Sequence, residues 1–185
     1  MGKNELRAEI RARTAALDSA YLQESNTGIL RNLIALPDFI AAKRIFTYLS
    51  VGREADTRAI IAYCAEQGKQ TALPTDCQAG KMNFALLDRP LSELRPDKFN
   101  IPVPGADALR LRPEAGDLIL VPALCYDEEL FRLGHGGGYY DRYLLDCPAF
   151  PVGLCREALV VPRVPRNGFD LPVRCLVTEK RIARP

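Results

Sequence analysis

Four aliphatic residues in a row, Leu118-Ile119-Leu120-Val121, closed by Pro122, constrain this chain more than any other stretch. A strand with one wet face alternates apolar and polar side chains. A strand with no polar position has both faces covered, as in a parallel sheet packed between helices. The order of elements upstream agrees. Residues 44–49 (RIFTYL) are β-branched and aromatic and read as a buried strand. A loop follows over residues 50–56, and Asp56 can cap a helix over residues 57–67 that Gly68 ends. Residues 70–73 are a second strand, stopped by Pro74. Strand, helix, strand is a crossover and implies parallel pairing. The expected class is α/β: a single-domain, three-layer α/β/α arrangement around a mainly parallel, Rossmann-like sheet. A length of 185 residues suffices for one core covered on two faces.

The remaining segments fill in that scheme. Residues 3–17 form an amphipathic helix, with Leu6, Ile10, Arg13 and Leu17 on one stripe. Asp18 or Ser19 caps a second helix that runs toward Ala35 and is closed by Pro37. A strand is expected over residues 83–87. Residues 89–116 are rich in Pro and polar side chains and read as irregular surface chain. Residues 139–145 are helix-like, 151–155 a strand, 163–172 a proline-bearing loop, and 176–178 a last short strand.

Bulk properties exclude several classes. The net charge of +2 is too small to argue for nucleic acid or an anionic membrane. No apolar run approaches a membrane span, and the charged amino-terminal residues lack the apolar core of a secretory signal. Leu6 stands where myristoylation needs Ser or Thr. The six cysteines contain no CxxC pair and the chain has one histidine, which argues against structural zinc and for reduced, buried thiols. A cytoplasmic location is expected.

Residues 132–142 read RLGHGGGYYDR. Gly134, Gly136, Gly137 and Gly138 fall within five positions, more than a sharp turn needs. Such a run lets backbone N–H groups turn together toward one anion. An apolar strand before it and a helix after it complete a phosphate-binding arrangement. Arg132 and His135 add donors. The pattern is neither a Walker loop, since Tyr139 and Tyr140 follow the last glycine, nor GxGxxG, since position 139 is not glycine. Lys3, Arg7 and Arg11 share one helical face; this is either a solvated basic row or a set of cations leaning over a polyphosphate.

The loop resembles the glycine-rich ATP loop of the 5-formyltetrahydrofolate cyclo-ligase (methenyltetrahydrofolate synthetase) family, whose RLGxGGGYYDR pattern it carries without a gap. The resemblance extends to K-x-x-L-R at residues 3–7, to YLSVGREADT at 48–57 beside the family's YLSxxxEVDT, and to Asp170 in FDLP. Residues 77–116 carry little of it. The stretch 163–168 is longer than the family pattern, and His135 stands where Tyr or Arg is frequent.

What the resemblance implies is specific. The fold would be that of the cyclo-ligases and sugar-isomerase-like proteins. Lys3, Asn4, Arg7, Arg132, Leu133, Gly134, His135, Gly136, Gly137, Gly138, Tyr139 and Tyr140 would bind ATP. Leu49 and Glu54 would contact the folate, the carboxylate suiting the donor-rich edge of a reduced pterin. Asp141 and Asp170 would hold Mg²⁺, a hard cation that takes oxygen ligands. Arg132 and Tyr140 would act on the reacting groups. The partners would be ATP and 5-formyltetrahydrofolate, with no nucleic acid and no membrane, and the protein would be a monomer. Two other classes stay open: a nucleotide- or folate-binding regulator without turnover, and an enzyme acting on a phosphosugar, since fold alone does not fix function.

Overall fold

The computed structural model describes residues 2–78, 81–98 and 100–185. The chain opens with two helices, α1 (Lys3–Ala16) and α2 (Ser19–Ile34). Asp18 caps α2 as expected, its Oδ1 accepting from Tyr21 N at 2.7 Å. Pro37 ends one helix by starting another, α3 (Pro37–Ala41), because proline at the first helical position lacks only an N–H that no helical carbonyl could use. Strand β1 is short (Arg44–Phe46); residues 47–50 stay buried but leave the sheet. Helix α4 (Thr57–Glu66) is capped by Asp56, and Gly68 follows it at φ 67°.

Next come β2 (Gln70–Gln78) and β3 (Lys81–Leu86), then three two-residue strands, β4 (Arg95–Pro96), β5 (Pro102–Val103) and β6 (Arg110–Leu111). The aliphatic run is β7 (Leu118–Val121), buried throughout. A hairpin of β8 (Cys125–Tyr126) and β9 (Arg132–Leu133) separates it from the glycine loop. Then follow α5 (Tyr139–Leu144), β10 (Phe150–Leu154), β11 (Cys175–Val177) and β12 (Ile182–Ala183).

The main sheet has the order β12-β11-β10-β7-β1-β2-β3-β6. Its five central strands, β11 to β2, run parallel; β12 on one side and β3 on the other run against them, and β6 pairs antiparallel with β3 and so points the same way as the central five. Alternation within β1 and β7 divides the core. Phe46, Ile119 and Val121 join Leu6 and Ile10 of α1 and Leu144 of α5 on one face. Ile45, Leu118 and Leu120 join Ile29 and Leu33 of α2, Phe39 of α3 and Ile60 of α4 on the other. The three layers are those expected.

One expected boundary fails. Pro74 does not stop β2, which runs four residues further. The ladder with β1 ends at Phe46 opposite Ala72, so beyond it β2 pairs on one side only, with β3. A proline there removes no N–H that a second neighbour needed.

The sheet also fixes where a ligand can enter. From β1 the chain crosses to β2 on one side. From β7, which flanks β1 on the other side, it proceeds away to β10 and β11. The segments leaving the carboxyl ends of β1 and β7 therefore diverge, and a crevice opens between them. No helix is long and apolar enough to cross a membrane among the described residues.

Candidate active site

The crevice holds a cavity of about 440 Å³. The segment after β1 lines it with Tyr48, Leu49, Val51 and Glu54. The chain after β7 lines it with Pro122, Arg132, Gly134, His135, Gly137, Gly138 and Tyr139–Asp141. Leu73, Pro74, Met82 and Ile101 supply an apolar wall. A larger hollow of about 690 Å³ lies beside it, bounded by residues 75–77, 89, 93–98 and 103–107, with no residue of the glycine loop in its lining.

The glycine loop is built for a backbone turn. Gly136 and Gly138 sit at φ 110° and 64°, where an L side chain is strained. Gly137 has no such φ; a Cβ there would lie 2.8 Å from the Tyr139 ring. Helix α5 is only six residues long, so its dipole adds little, and the anion-binding capacity rests on loop N–H groups and nearby cations.

Those cations are held in place by the protein. Arg7 Nε donates to Gly134 O at 2.9 Å, and its Nη1 donates to Asn4 Oδ1 at 2.6 Å, which brings the amino-terminal row to the glycine loop. Lys3 Nζ meets both oxygens of Asp170, at 2.7 and 2.6 Å. Arg132 is buried; its Nη2 donates to Asp141 Oδ1 at 2.5 Å and its Nη1 to Leu171 O at 2.9 Å. Asp141 and the segment carrying Asp170 thus flank one guanidinium. Leu133, in β9, is buried and packs the hairpin into the core.

Across the cavity, Glu54 is aimed by two contacts. Its Oε2 accepts from Val51 N at 2.8 Å, and its Oε1 lies 3.4 Å from His135 Nε2. Glu54 and the glycine loop are therefore neighbours. Leu49 is buried beside them. The Tyr140 hydroxyl is buried and makes no hydrogen bond within the protein. Burial, and after it the nearby Cys77 thiol, push its pKa far above the ordinary phenol value, so it stays a neutral donor. Tyr48 behaves alike, through burial and the charge of Glu54.

Three residues escaped the sequence reading. Asp127 is fully buried; its Oδ1 accepts from Glu129 N and Phe131 N, closing the β8–β9 turn, and its Oδ2 accepts from Val164 N and Arg166 Nη2. The proline loop is thereby pinned rather than free, and Arg166 also stacks on Phe131 at 3.8 Å. Arg156, buried after β10, grips the Glu54 loop. An acid in a tight turn is the only local signal for Asp127; Arg156 gives none.

The sequence profile of the 5-formyltetrahydrofolate cyclo-ligase family matches residues 1–179. The chain belongs to that family. Among relatives, the 5-formyltetrahydrofolate cyclo-ligase of Escherichia coli K12 is 30% identical, covering 94% of this chain and 98% of its own. The Mus musculus 5-formyltetrahydrofolate cyclo-ligase is also 30% identical, over 92% and 90% of the two chains. An NMR structure of 5,10-methenyltetrahydrofolate synthetase from Aquifex aeolicus superposes with a TM-score of 0.84 at 30% identity, covering all of this chain and 93% of that one. As a member of the cyclo-ligase family, the protein is a ligase of folate metabolism.

Metal binding needs separate scrutiny. Among the described residues no group of three or more His, Cys, Asp or Glu could hold an ion. That fits Mg²⁺ better than zinc: magnesium is commonly held by one or two carboxylates, with substrate phosphates and water completing the shell. Asp141 and Asp170 have the hard oxygens for this role.

Proposed function

We propose that the protein converts 5-formyltetrahydrofolate and ATP to 5,10-methenyltetrahydrofolate, ADP and phosphate. The observation that carries this reading is the closeness of two unlike sites in one cleft. A glycine loop with two left-handed glycines lies 3.4 Å, through His135, from a carboxylate on an apolar wall. The first suits a polyphosphate, the second a reduced pterin.

The chemistry needs both. A formyl oxygen on nitrogen is a poor leaving group. Transfer of the terminal phosphoryl group of ATP to that oxygen breaks the bond to ADP and makes it a good one. The neighbouring folate amine then bonds to the formyl carbon, loses its proton, and phosphate departs with the oxygen. The protein has to align two substrates and balance moving negative charge. Loop N–H groups from residues 134–138, with Lys3, Asn4, Arg7 and Arg132, serve the phosphates. Leu49 and Glu54 hold the pterin, the acid accepting from its amino and ring N–H groups. Tyr139 closes the loop side, and the Tyr140 hydroxyl donates to an oxygen of the bound substrates. Asp141 and Asp170 would hold Mg²⁺, which supplies charge neutralisation on the phosphates. Lys3 and Arg132 already sit on these carboxylates, so they remain close to the phosphates when the carboxylates take other partners.

In this reading the enzyme works as a monomer. Six free cysteines suit a reducing cytoplasm. The decisive experiment follows methenyltetrahydrofolate absorbance in purified protein given 5-formyltetrahydrofolate, ATP and Mg²⁺. Product formed only when all three are present supports the reading. Binding of both substrates without product would make the protein a regulator, and a thermal response to sugar phosphates but not ATP would move it to phosphosugar chemistry.

A further inference from the structure

A buried cation that forms no salt bridge among the described residues stands behind the Glu54 loop. Arg156 follows β10 and is 3% exposed. A guanidinium removed from water ordinarily meets a carboxylate. Arg156 instead gives its hydrogen bonds to uncharged oxygens on two separate segments. Its Nη1 donates to Leu22 O at 3.2 Å and to Ser25 Oγ, both on α2. Its Nε and Nη2 donate to Arg53 O, each at 3.2 Å, and Nη2 also donates to Glu54 O at 2.8 Å. Burial lowers its pKa, and the charge of Glu179 acts on it only through space. Such an arrangement is costly to form, and it fastens the backbone of one residue whose side chain points the other way, into the cavity.

We infer that Arg156 is a positioning residue for the folate: it ties the carbonyls of Arg53 and Glu54 to α2 and so sets where the Glu54 carboxylate meets the substrate. The inference rests on the cyclo-ligase reading, which gives Glu54 its role. The rest of the loop is braced by shorter-range contacts. Ser50 O accepts from Arg58 Nη1 at 2.6 Å, and Asp56 N donates to Asn26 Oδ1 at 3.2 Å. Between these two anchors the Arg53 guanidinium donates to Leu17 O at the end of α1, and Arg156 holds the carbonyls of residues 53 and 54. A planar fork with five donors can bridge two segments at once; an ammonium cannot.

The test is a kinetic split together with a double-variant cycle. In Arg156→Ala the KM for 5-formyltetrahydrofolate should rise about tenfold to a hundredfold, the scale of a misplaced contact group, while the KM for ATP holds. Added guanidinium chloride at sub-denaturing concentration should recover part of the loss. In a Glu54→Ala background the further effect of Arg156→Ala on folate KM should shrink to about twofold or less, because the anchored group is gone. Arg156→Lys keeps the charge and folds where alanine fails; it should show the same folate-selective loss. Equal changes in both KM values, or losses that simply add in the double variant, would reduce Arg156 to a structural prop and overturn the inference. The wild-type enzyme assayed alongside separates the two readings: no product from it sinks the cyclo-ligase proposal, whereas an active wild type with an unaffected folate KM in the variants sinks only this one.

Discussion

In the proposed function Glu54 is the residue on which substrate choice turns, and its surroundings state what changing it should do. The carboxylate takes one N–H from Val51 and leaves its other oxygen toward the cavity. Glu54→Gln keeps an acceptor but loses the charge. The folate KM should rise roughly tenfold or more, the worth of a charge-assisted hydrogen bond, with ATP affinity retained. Steady-state kinetics with each substrate varied in turn decides; an unchanged folate dependence counts against the assignment. Tyr140 offers a different signature. Its hydroxyl is buried without a protein partner, a condition that costs about 1–3 kcal/mol. Tyr140→Phe should therefore melt a few degrees higher, at roughly 2–4 °C per kcal/mol, yet lose activity. A variant that is less stable and fully active would contradict the donor role. At this scale the sequence was readable wherever a side chain acts with its own neighbours. The glycines announce themselves by type and spacing, whereas Lys3, Arg7 and Glu54 stood out through the resemblance to the family's motifs. Arg156 does not, because its partners are carbonyls at Leu22, Arg53 and Glu54, and any residue supplies a carbonyl.

The glycine loop is the element with the sharpest constraint, and within it the constraint falls on Gly136 rather than on Gly137. A Cβ on Gly137 would chiefly meet the ring of Tyr139, which can swing away, whereas Gly136 holds φ 110° near the Arg7 guanidinium. Gly136→Ala should strain the turn by about 1–2 kcal/mol and weaken ATP binding, measured by calorimetry, with folding intact. Wild-type ATP affinity in this variant would refute the cradle. Elements long enough to show a period were legible: α1, α2, α4 and β7 lie within a residue or two of their expected bounds. Elements of two residues were not. The β8–β9 hairpin and β12 have no period to read, and they exist because Asp127 closes one turn and β11 offers an edge to the other. Pro74 misled for the opposite reason. Proline is a reliable stop where a neighbouring strand needs the N–H it lacks, and beyond the end of β1 no strand lies on one side of β2 to need it.

For the molecule as a whole, two core layers press on one sheet, and the cleft proposed for the two substrates opens where the strand order reverses. Binding should then stabilise the entire fold. ATP at about a hundredfold over its Kd should add about 2.7 kcal/mol, or roughly 5–10 °C for a chain of this size. The folate should do the same in the wild type and much less in Glu54→Gln, while the ATP shift persists there. Thermal melts with each ligand alone test this; equal loss of both shifts would mean that Glu54 props the fold. The α/β class was visible because β7 has no polar face and the first crossover has its cap and its closing glycine. The strand order was not, since nothing local tells β7 to pair with β1 rather than with β3.

The salt bridge from Lys3 to Asp170 spans 167 positions of sequence. A ribosome releases Lys3 and Arg7 first, and the carboxylate that receives Lys3 emerges only near the end of synthesis. Translation that halts before residue 170 yields a chain whose basic helix has no acid to dock against. On the proposed assignment of Lys3 to the phosphates, competence to handle nucleotide waits for the last segment to be made.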